Sequence, residues 1–435
     1  MMAMSRKLAN LVASNRDRIV GGAEQGLASL ISMGGLIVLS RLMPIDAFGI
    51  FAFAVGVWLV LEMLQHSAVI SPFIVSCPAP LDAPEEFGAW MFWNLTVGIG
   101  SVVVLLLAGL IALPLQPWLG EGLLLSAPIA FSGMLYMFVR RIHYHLRERR
   151  ALIAQTLLYG ASYATALASF FVFSIGLTPL SAALILTLAY GVPAMLFSLR
   201  MLGKARFDRS GFLRIGKSRK LITQLAAAGA IWEASYSGAL LALGIFGTPA
   251  AVAIYSITRT LVRPVSMVLS TLIDVDLSRA SRRYAAEGRP GLAEVVSSVW
   301  LSAAALTMVP VALLIIFPGF FLELIYGTQY AGATTELQLR VLIFVPLICV
   351  APLDIGLTVL RDTRFLMLAH LAGLAVGTAC LTALGLMRGV DATSVLIALV
   401  AARLTSMPLL HLRYRRLMAG AVLPSATGTE VADVR

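Results

Sequence analysis

Charged side chains inside long apolar stretches are the residues of this sequence that could do chemistry. Arg259 and Arg263 lie four positions apart in the stretch 250–273, and Tyr255 precedes Arg259 by one helical turn. Residues four apart share one face of an α-helix, so both guanidinium groups are expected to point the same way. Guanidinium groups stay charged at any working pH and match the geometry of phosphate oxygens. The spacing therefore predicts an anion-binding face.

The same two arginines could instead have a structural role. One or both could pair with Glu233, or they could be drawn toward a water-filled vestibule. Glu233 lies midway along the stretch 221–244, where it could be a protonatable coupling group, a structural counter-ion for the arginines, or both. A charge at the centre of a membrane helix costs about 2.5 to 3.5 kcal/mol, so none of these groups is expected to face lipid.

Further ionisable residues in apolar stretches are candidate site residues. Glu24 enters the first stretch among several glycines, where small residues allow close helix packing or bending. Trp58, Glu62 and His66 recur every four residues, so the acid and the imidazole could form a structural contact or relay a proton. Arg403 is an isolated charge in the last stretch and is a candidate cavity residue.

The sequence contains no recognisable set of catalytic residues. It lacks a Gly-rich phosphate loop with Lys, a Ser-His-Asp set in a polar domain, and the residue spacing of a metal site. Three cysteines form an odd set without metal-site spacing, so neither a disulfide framework nor a zinc site is predicted. We therefore expect no enzyme activity, no cofactor, no metal and no ATP hydrolysis by this chain.

The composition predicts which elements position these residues. Hydrophobic residues make up 59% of the 435 residues and charged residues 13%, which leaves too little polar surface for a water-soluble globule. A helical membrane crossing needs about 20 apolar residues. Continuous apolar runs without alternation indicate helices rather than barrel strands. Twelve such stretches run near residues 20–40, 47–70, 89–113, 123–139, 151–173, 180–199, 221–244, 250–273, 292–317, 337–360, 365–387 and 392–411.

Basic residues indicate the orientation of these helices. Of the 33 Lys and Arg residues, 27 lie in alternate gaps or at the termini, while the opposite gaps hold only Arg41 and Arg388. Lys and Arg are retained on the cytoplasmic side in short loops, so both termini are predicted to be cytoplasmic. The net charge of +11 is then explained by contact with anionic lipid headgroups, without nucleic acid. The basic run at 140–150 is interpreted as one such amphipathic loop.

The longest basic gap, residues 200–220, divides the twelve stretches into two sets of six. The fold prediction is thus an all-α integral membrane protein with about twelve transmembrane helices in two six-helix lobes. The predicted boundaries are residues 1–205 for the N-terminal lobe, 206–420 for the C-terminal lobe and 421–435 for a polar tail. Lobes of equal orientation would be related by an axis along the membrane normal.

Several segments resemble a known family. The segment Leu39–Ala54 contains an Arg, a Pro and an acidic residue followed by a Phe-Gly pair. These residues are Arg41, Pro44 and Asp46, with Phe48 and Gly49 as the pair. Three more segments are similar to the same family, namely Ala253–Pro264, Glu323–Ala333 and Val359–Phe365. Together they resemble polysaccharide flippases of the multidrug/oligosaccharidyl-lipid/polysaccharide exporter superfamily. Arg41 and Asp46 are expected to serve turn geometry, gating or headgroup contact more than substrate chemistry.

The resemblance implies a two-lobed transporter that moves a lipid-linked oligosaccharide on a polyprenyl diphosphate carrier between leaflets of a bacterial inner membrane. Arg259 and Arg263 would then bind the carrier diphosphate. Expected partners are membrane lipids and, for exopolysaccharide biosynthesis, a polysaccharide polymerase and glycosyltransferases. Two alternatives remain open: a multidrug-type cation antiporter on the same fold, and a membrane partner of polysaccharide assembly that transports nothing.

Overall fold

A computed structural model describes residues 2–173 and 176–420. Within these ranges the structure does not describe the side chains of residues 2–21, 171, 217, 221, 228–229, 231–236, 270–271, 273–275 and 278. The polar tail predicted at 421–435 lies outside the described residues.

The described chain is built from α-helices and short turns. In order they are α1 (Met2–Leu42), α2 (Ile45–Gln65), α3 (Pro84–Ala112), α4 (Pro117–His145), α5 (Arg149–Val172), α6 (Pro179–Leu202), α7 (Arg209–Lys217), α8 (Arg219–Phe246), α9 (Pro249–Leu261), α10 (Arg263–Ile316), α11 (Pro318–Tyr326), α12 (Thr334–Leu342), α13 (Phe344–Val359), α14 (Thr363–Arg388) and α15 (Ala392–Met418). A π-helical turn (His66–Ile70) and a further turn of helix (Ser71–Ser76) extend α2. At Gly288, with φ of 68°, α10 breaks.

Ten helical segments of the described chain are long and apolar enough to cross a membrane, or eleven if one bent pair counts as a span. The bent pair is α9 with the start of α10. The seventh predicted stretch, 221–244, falls within α8, which has 28 residues. Each predicted stretch thus falls in a helical region, and the predicted all-α membrane fold is confirmed.

The first compact unit contains the residues up to Thr260 together with Gly319–Ala333 and Gly389–Ala392. Helix α4 is its centre, because α2, α3 and α6 all pack against it. A buried cluster joins these helices near their predicted cytoplasmic ends. It contains Val69, Ile70, Phe73, Cys77, Phe87, Trp90, Phe138, Ile142 and Met201.

The second compact unit contains Leu261–Pro318, Thr334–Arg388 and the chain from Thr393. Helix α10 packs along α13. Gly373 and Gly377 bring α14 against the carbonyl groups of Ala402 and Ala398 on α15, with no room for a larger side chain at Gly373. The predicted lobes, residues 1–205 and 206–420, stay a prediction.

Candidate functional site

The segment that carries the two predicted anion-binding arginines is a broken helix. Between α9 and α10 the chain bends by 48°. Pro264 is the cause, because it lacks the N–H that would bond the carbonyl of Thr260, and its ring clashes with that carbonyl. The second half-helix then starts from the Val262 carbonyl, which accepts from the backbone N–H groups of Val265 and Ser266, at 3.1 and 3.2 Å. The expectation of one continuous helical face is therefore wrong at this position.

The break places one arginine on each half-helix. Arg259 lies in the last turn of α9 and Arg263 is the first residue of α10, and both are half-buried. A cation in the last turn offsets the negative end of the α9 dipole, whereas Arg263 adds to the positive end of α10. Tyr255 is only 2% exposed. It is therefore part of the packed interior of the first unit.

Arg403 lies on α15 in the second unit and is half-buried. Its backbone carbonyl accepts a hydrogen bond of 3.2 Å from the Ser406 hydroxyl. Glu233 lies on α8, but its side chain is outside the described residues. Its predicted role as a coupling group or counter-ion stays a prediction.

Glu24 is the centre of a buried polar cluster. Its oxygens accept hydrogen bonds from Arg140 Nε at 2.9 Å and Arg140 Nη2 at 2.7 Å. The hydroxyl groups of Tyr144 and Thr156 donate to the same carboxylate. The Arg140 Nη2 group also donates to Gln25 Oε1, at 2.6 Å. Bidentate pairing of this kind neutralises the acid and fixes α1 against α4 and α5.

This cluster corrects the interpretation of the basic run 140–150. The run is not a loop on the lipid surface, because α4 continues to His145. Arg140 is 4% exposed and pairs inside the first unit. Sequence reasoning missed Arg140, Tyr144 and Thr156 as members of the Glu24 cluster. The spacing of Arg140 and Tyr144 within a helix was available as a signal, because four residues make about one turn.

Glu62 and His66 lie at the end of α2, where the helix changes to a π turn. Glu62 interacts electrostatically with Arg141 of α4. His66 Nδ1 lies 3.3 Å from the Ser71 hydroxyl. A π turn inside a membrane helix is a frequent mark of a functional position. The predicted coupling role of Glu62 stays a prediction, with Arg141 added as its basic neighbour.

Arg41 joins two of the segments that resemble the flippase family. Its Nε donates to the Ile325 carbonyl at 2.7 Å, and its Nη2 donates to the Leu324 carbonyl. In return, Gln329 Nε2 donates to the carbonyls of Ser40 at 2.6 Å and Met43 at 3.3 Å. Each side chain thus caps the carbonyl end of the other segment's helix.

The two segments also meet through aromatic side chains. The rings of Phe48 and Tyr330 lie 6.4 Å apart in an edge contact, and both are buried. Asp46 is exposed in the first turn of α2, where a carboxylate favours the helix dipole. The predicted turn and gating functions of Arg41 and Asp46 stay predictions.

A smaller charged cluster lies at the turn between α4 and α5 and includes Lys204, which follows α6. Lys204 Nζ is 2.9 Å from Glu148 Oε1, and His143 Nδ1 is 3.0 Å from Glu148 Oε2. Partial burial disfavours ionisation of Glu148, but the hydrogen bonds and charges of Lys204 and His143 hold its pKa below the ordinary value of 4.5.

Cys77 follows the helical turn Ser71–Ser76 and is buried. This burial, together with the negative charge of Glu86, raises the pKa of the Cys77 thiol to about 12.

No family model matches the sequence, and no curated protein matches it. Solved structures do match. The lipid II flippase MurJ, in an inward closed conformation, matches with a TM-score of 0.71 and 10% identity, over 91% of this chain and 87% of that chain. The eukaryotic MATE transporter AtDTX14 matches with a TM-score of 0.63 and 16% identity, over 94% and 98%.

An inward-facing multidrug resistance MATE family transporter of the MOP superfamily matches with a TM-score of 0.61 and 14% identity, over 90% of this chain and 94% of that chain. At these identities the likeness shows the fold. The chain has the fold of MOP-superfamily transporters, as its motifs predicted, and it is a multi-pass membrane protein. The matched proteins are transporters and a flippase, which agrees with the prediction that the chain is not an enzyme.

Proposed function

We propose that this protein is a transporter that moves a lipid-linked oligosaccharide across the bacterial inner membrane, with a polyprenyl diphosphate as the anionic part of its substrate. The observation that carries the proposal is the broken helix α9–α10 with Arg259 and Arg263 on its two halves. In transporters, discontinuous membrane helices commonly form substrate sites, and the N-terminus of a half-helix favours an anion. Arg263 at the start of α10 adds a full positive charge to such an end.

The alternative on the same fold is a multidrug-type cation antiporter. Such a protein needs an acidic group that can exchange a cation or a proton. The buried acid Glu24 is engaged by Arg140, Tyr144 and Thr156 instead. A guanidinium already occupies the position that a transported or coupling cation would take on Glu24. Glu24 is therefore engaged already, and a cation antiporter would have to use another acid, such as Glu233 or Glu62.

Alternating access of two lobes, with coupling through Glu233 or Glu62, completes the proposal. Arg403 is a further candidate for substrate contact. A polysaccharide polymerase and glycosyltransferases are the proposed partners, since a flipped repeat unit must be made on one side and polymerised on the other.

The test is transport by purified variants in proteoliposomes. A fluorescent prenyl diphosphate-linked sugar is added to one leaflet, and its arrival in the other leaflet is followed by quenching. Arg259→Ala and Arg263→Ala are expected to slow transport, and Arg259→Lys and Arg263→Lys to retain part of it, because Lys binds phosphate as a point charge. Arg388→Ala is the matched control. Wild-type rates in both alanine variants would refute the assignment.

A further inference from the structure

Helix α7 and the turn before it expose apolar side chains outside the membrane spans of the described chain. Phe207 is 54% exposed, Phe212 39% and Leu213 62%. Exposed apolar side chains within a span contact lipid tails, but these three belong to the linker between α6 and α8. Neighbouring apolar side chains that are exposed outside a span and flanked by polar residues are typical of an interaction surface.

Contacts with α3 fix the direction in which α7 presents these side chains. A Cβ atom at Gly211 would overlap the carbonyl oxygen of Glu85, so the two backbones are in direct contact. The backbone N–H of Arg206 donates to the Pro84 carbonyl at 2.9 Å. Ile215 packs against the buried cluster beneath. Gly211 and Ile215 are one turn apart and form the protein-facing side of α7.

The level of α7 relative to the membrane follows from its contact with Phe92. The rings of Phe212 and Phe92 lie 5.3 Å apart at 88°. Phe92 is 49% exposed and belongs to the membrane span α3, eight residues after Pro84. Eight residues of helix are about 12 Å long. The Phe212 ring therefore contacts a lipid-facing ring about two turns into α3, while the backbone of α7 lies at the start of α3.

The charge of this segment is strongly positive. Residues 200–220 contain eight Lys and Arg residues and a single acidic residue, Asp208. Arg206 and Arg209 are exposed on either side of Asp208. Arg214 is also exposed, with its Nη1 3.9 Å from Glu86 Oε2. A short helix that combines exposed aromatic and aliphatic groups with arginines has the chemistry of a membrane-surface helix.

We propose that α7 is an interfacial anchor that binds anionic lipid on the cytoplasmic side. Phe212 and Leu213 insert at the boundary between headgroups and acyl chains, and Arg206 and Arg209 bind lipid phosphates. Apolar and basic groups on one short helix fit a lipid surface better than a free phosphate, which would leave the apolar side chains in water. The inference does not depend on the transported substrate.

The test measures protection of a cysteine placed on α7 in the full-length protein. Leu213→Cys is reacted with a membrane-impermeant maleimide in nanodiscs of phosphatidylglycerol and phosphatidylcholine, and the labelling of wild type is subtracted. Ala286→Cys is the matched control, since Ala286 is exposed on the predicted cytoplasmic part of α10. In the anionic nanodiscs, Leu213→Cys is expected to label more slowly than Ala286→Cys. In nanodiscs of phosphatidylcholine alone, Leu213→Cys is expected to label faster than it does in the anionic nanodiscs.

A second variant tests the charged part of the proposal. Adding Arg206→Gln and Arg209→Gln should weaken the protection by up to about thirtyfold, since each basic residue at an anionic surface contributes about a fivefold factor. Equal labelling of Leu213→Cys and Ala286→Cys in every nanodisc would overturn the proposal. Equal protection with and without phosphatidylglycerol would overturn its anionic part. Protection in cells but not in nanodiscs would assign the surface to a protein partner instead.

Discussion

Loss of Arg140 is expected to destabilise the protein strongly. In the ion pair with Glu24, the Arg140 side chain is 5% exposed and the Glu24 side chain 1% exposed. Replacing Arg140 by Met would leave a carboxylate in the interior with only the hydroxyl groups of Tyr144 and Thr156 as partners. Removing one partner of a buried ion pair costs about 3 to 5 kcal/mol, mostly from the uncompensated charge.

The double variant Glu24→Leu/Arg140→Met separates this cost from the net contribution of the pair. Apolar replacement of both partners is often close to neutral. Here the two hydroxyl groups lose their acceptor, and each hydroxyl left unsatisfied costs about 1 to 3 kcal/mol. The double variant should therefore be less destabilised than the sum of the two single variants, because the charge has been removed with its partner.

The assay is thermal unfolding of the full-length protein in detergent, followed by the loss of the monodisperse peak in size-exclusion chromatography. At about 2 °C per kcal/mol, Arg140→Met should lower the Tm by about 6 to 10 °C. Arg150→Met is the matched control, because Arg150 is exposed in the same basic run, and its Tm should change by about 1 °C or less. Equal small shifts for Arg140→Met and Arg150→Met would refute the buried ion pair.

Three further predictions follow from single contacts. Arg41→Ala removes two hydrogen bonds to the carbonyl end of α11 and should lower the free energy of unfolding by about 1 kcal/mol in the same assay. Arg388→Ala, which removes an exposed arginine, is the control and should lower it less. The pKa of Glu148 is lowered in the folded protein, so its contribution to stability is present above the ordinary carboxyl pKa and is lost as the pH falls through the lowered value. Lys204→Ala should make the fall in Tm below pH 4.5 smaller than in the wild type. An unchanged profile of Tm against pH would contradict this prediction. Cys77 should resist N-ethylmaleimide at pH 8, since burial raises the pKa of its thiol to about 12, and rapid modification detected by mass spectrometry would show that the thiol is accessible.

The positions of the helices could be predicted from the sequence because each apolar run is long and is bounded by charge, Pro or Gly. The stretch 250–273 shows where length alone fails. It has the composition of one span, but the chain bends by 48° between Leu261 and Arg263. Pro264 was the signal in the sequence, since a proline inside a helix removes a hydrogen bond and kinks the chain.

The partners of the site residues could not be predicted in the same way. The pair of Glu24 and Arg140 joins residues 116 positions apart, and charge counting assigned Arg140 to a surface loop. Orientation rules use the number of basic residues near a span and carry no information about tertiary contacts. Arg41 and Gln329 illustrate the same limit. Both stand in segments that resemble one family, but only the structure shows that these segments cap each other's helices.

The most direct measurement of the central proposal is a comparison of two substrates with the wild-type protein in one set of proteoliposomes. One arm follows a prenyl diphosphate-linked sugar between leaflets, and the other follows ethidium against an imposed proton or sodium gradient. The proposed function predicts movement of the diphosphate lipid and no gradient-driven movement of ethidium. Gradient-driven ethidium transport, with the diphosphate lipid remaining in its original leaflet, would contradict it.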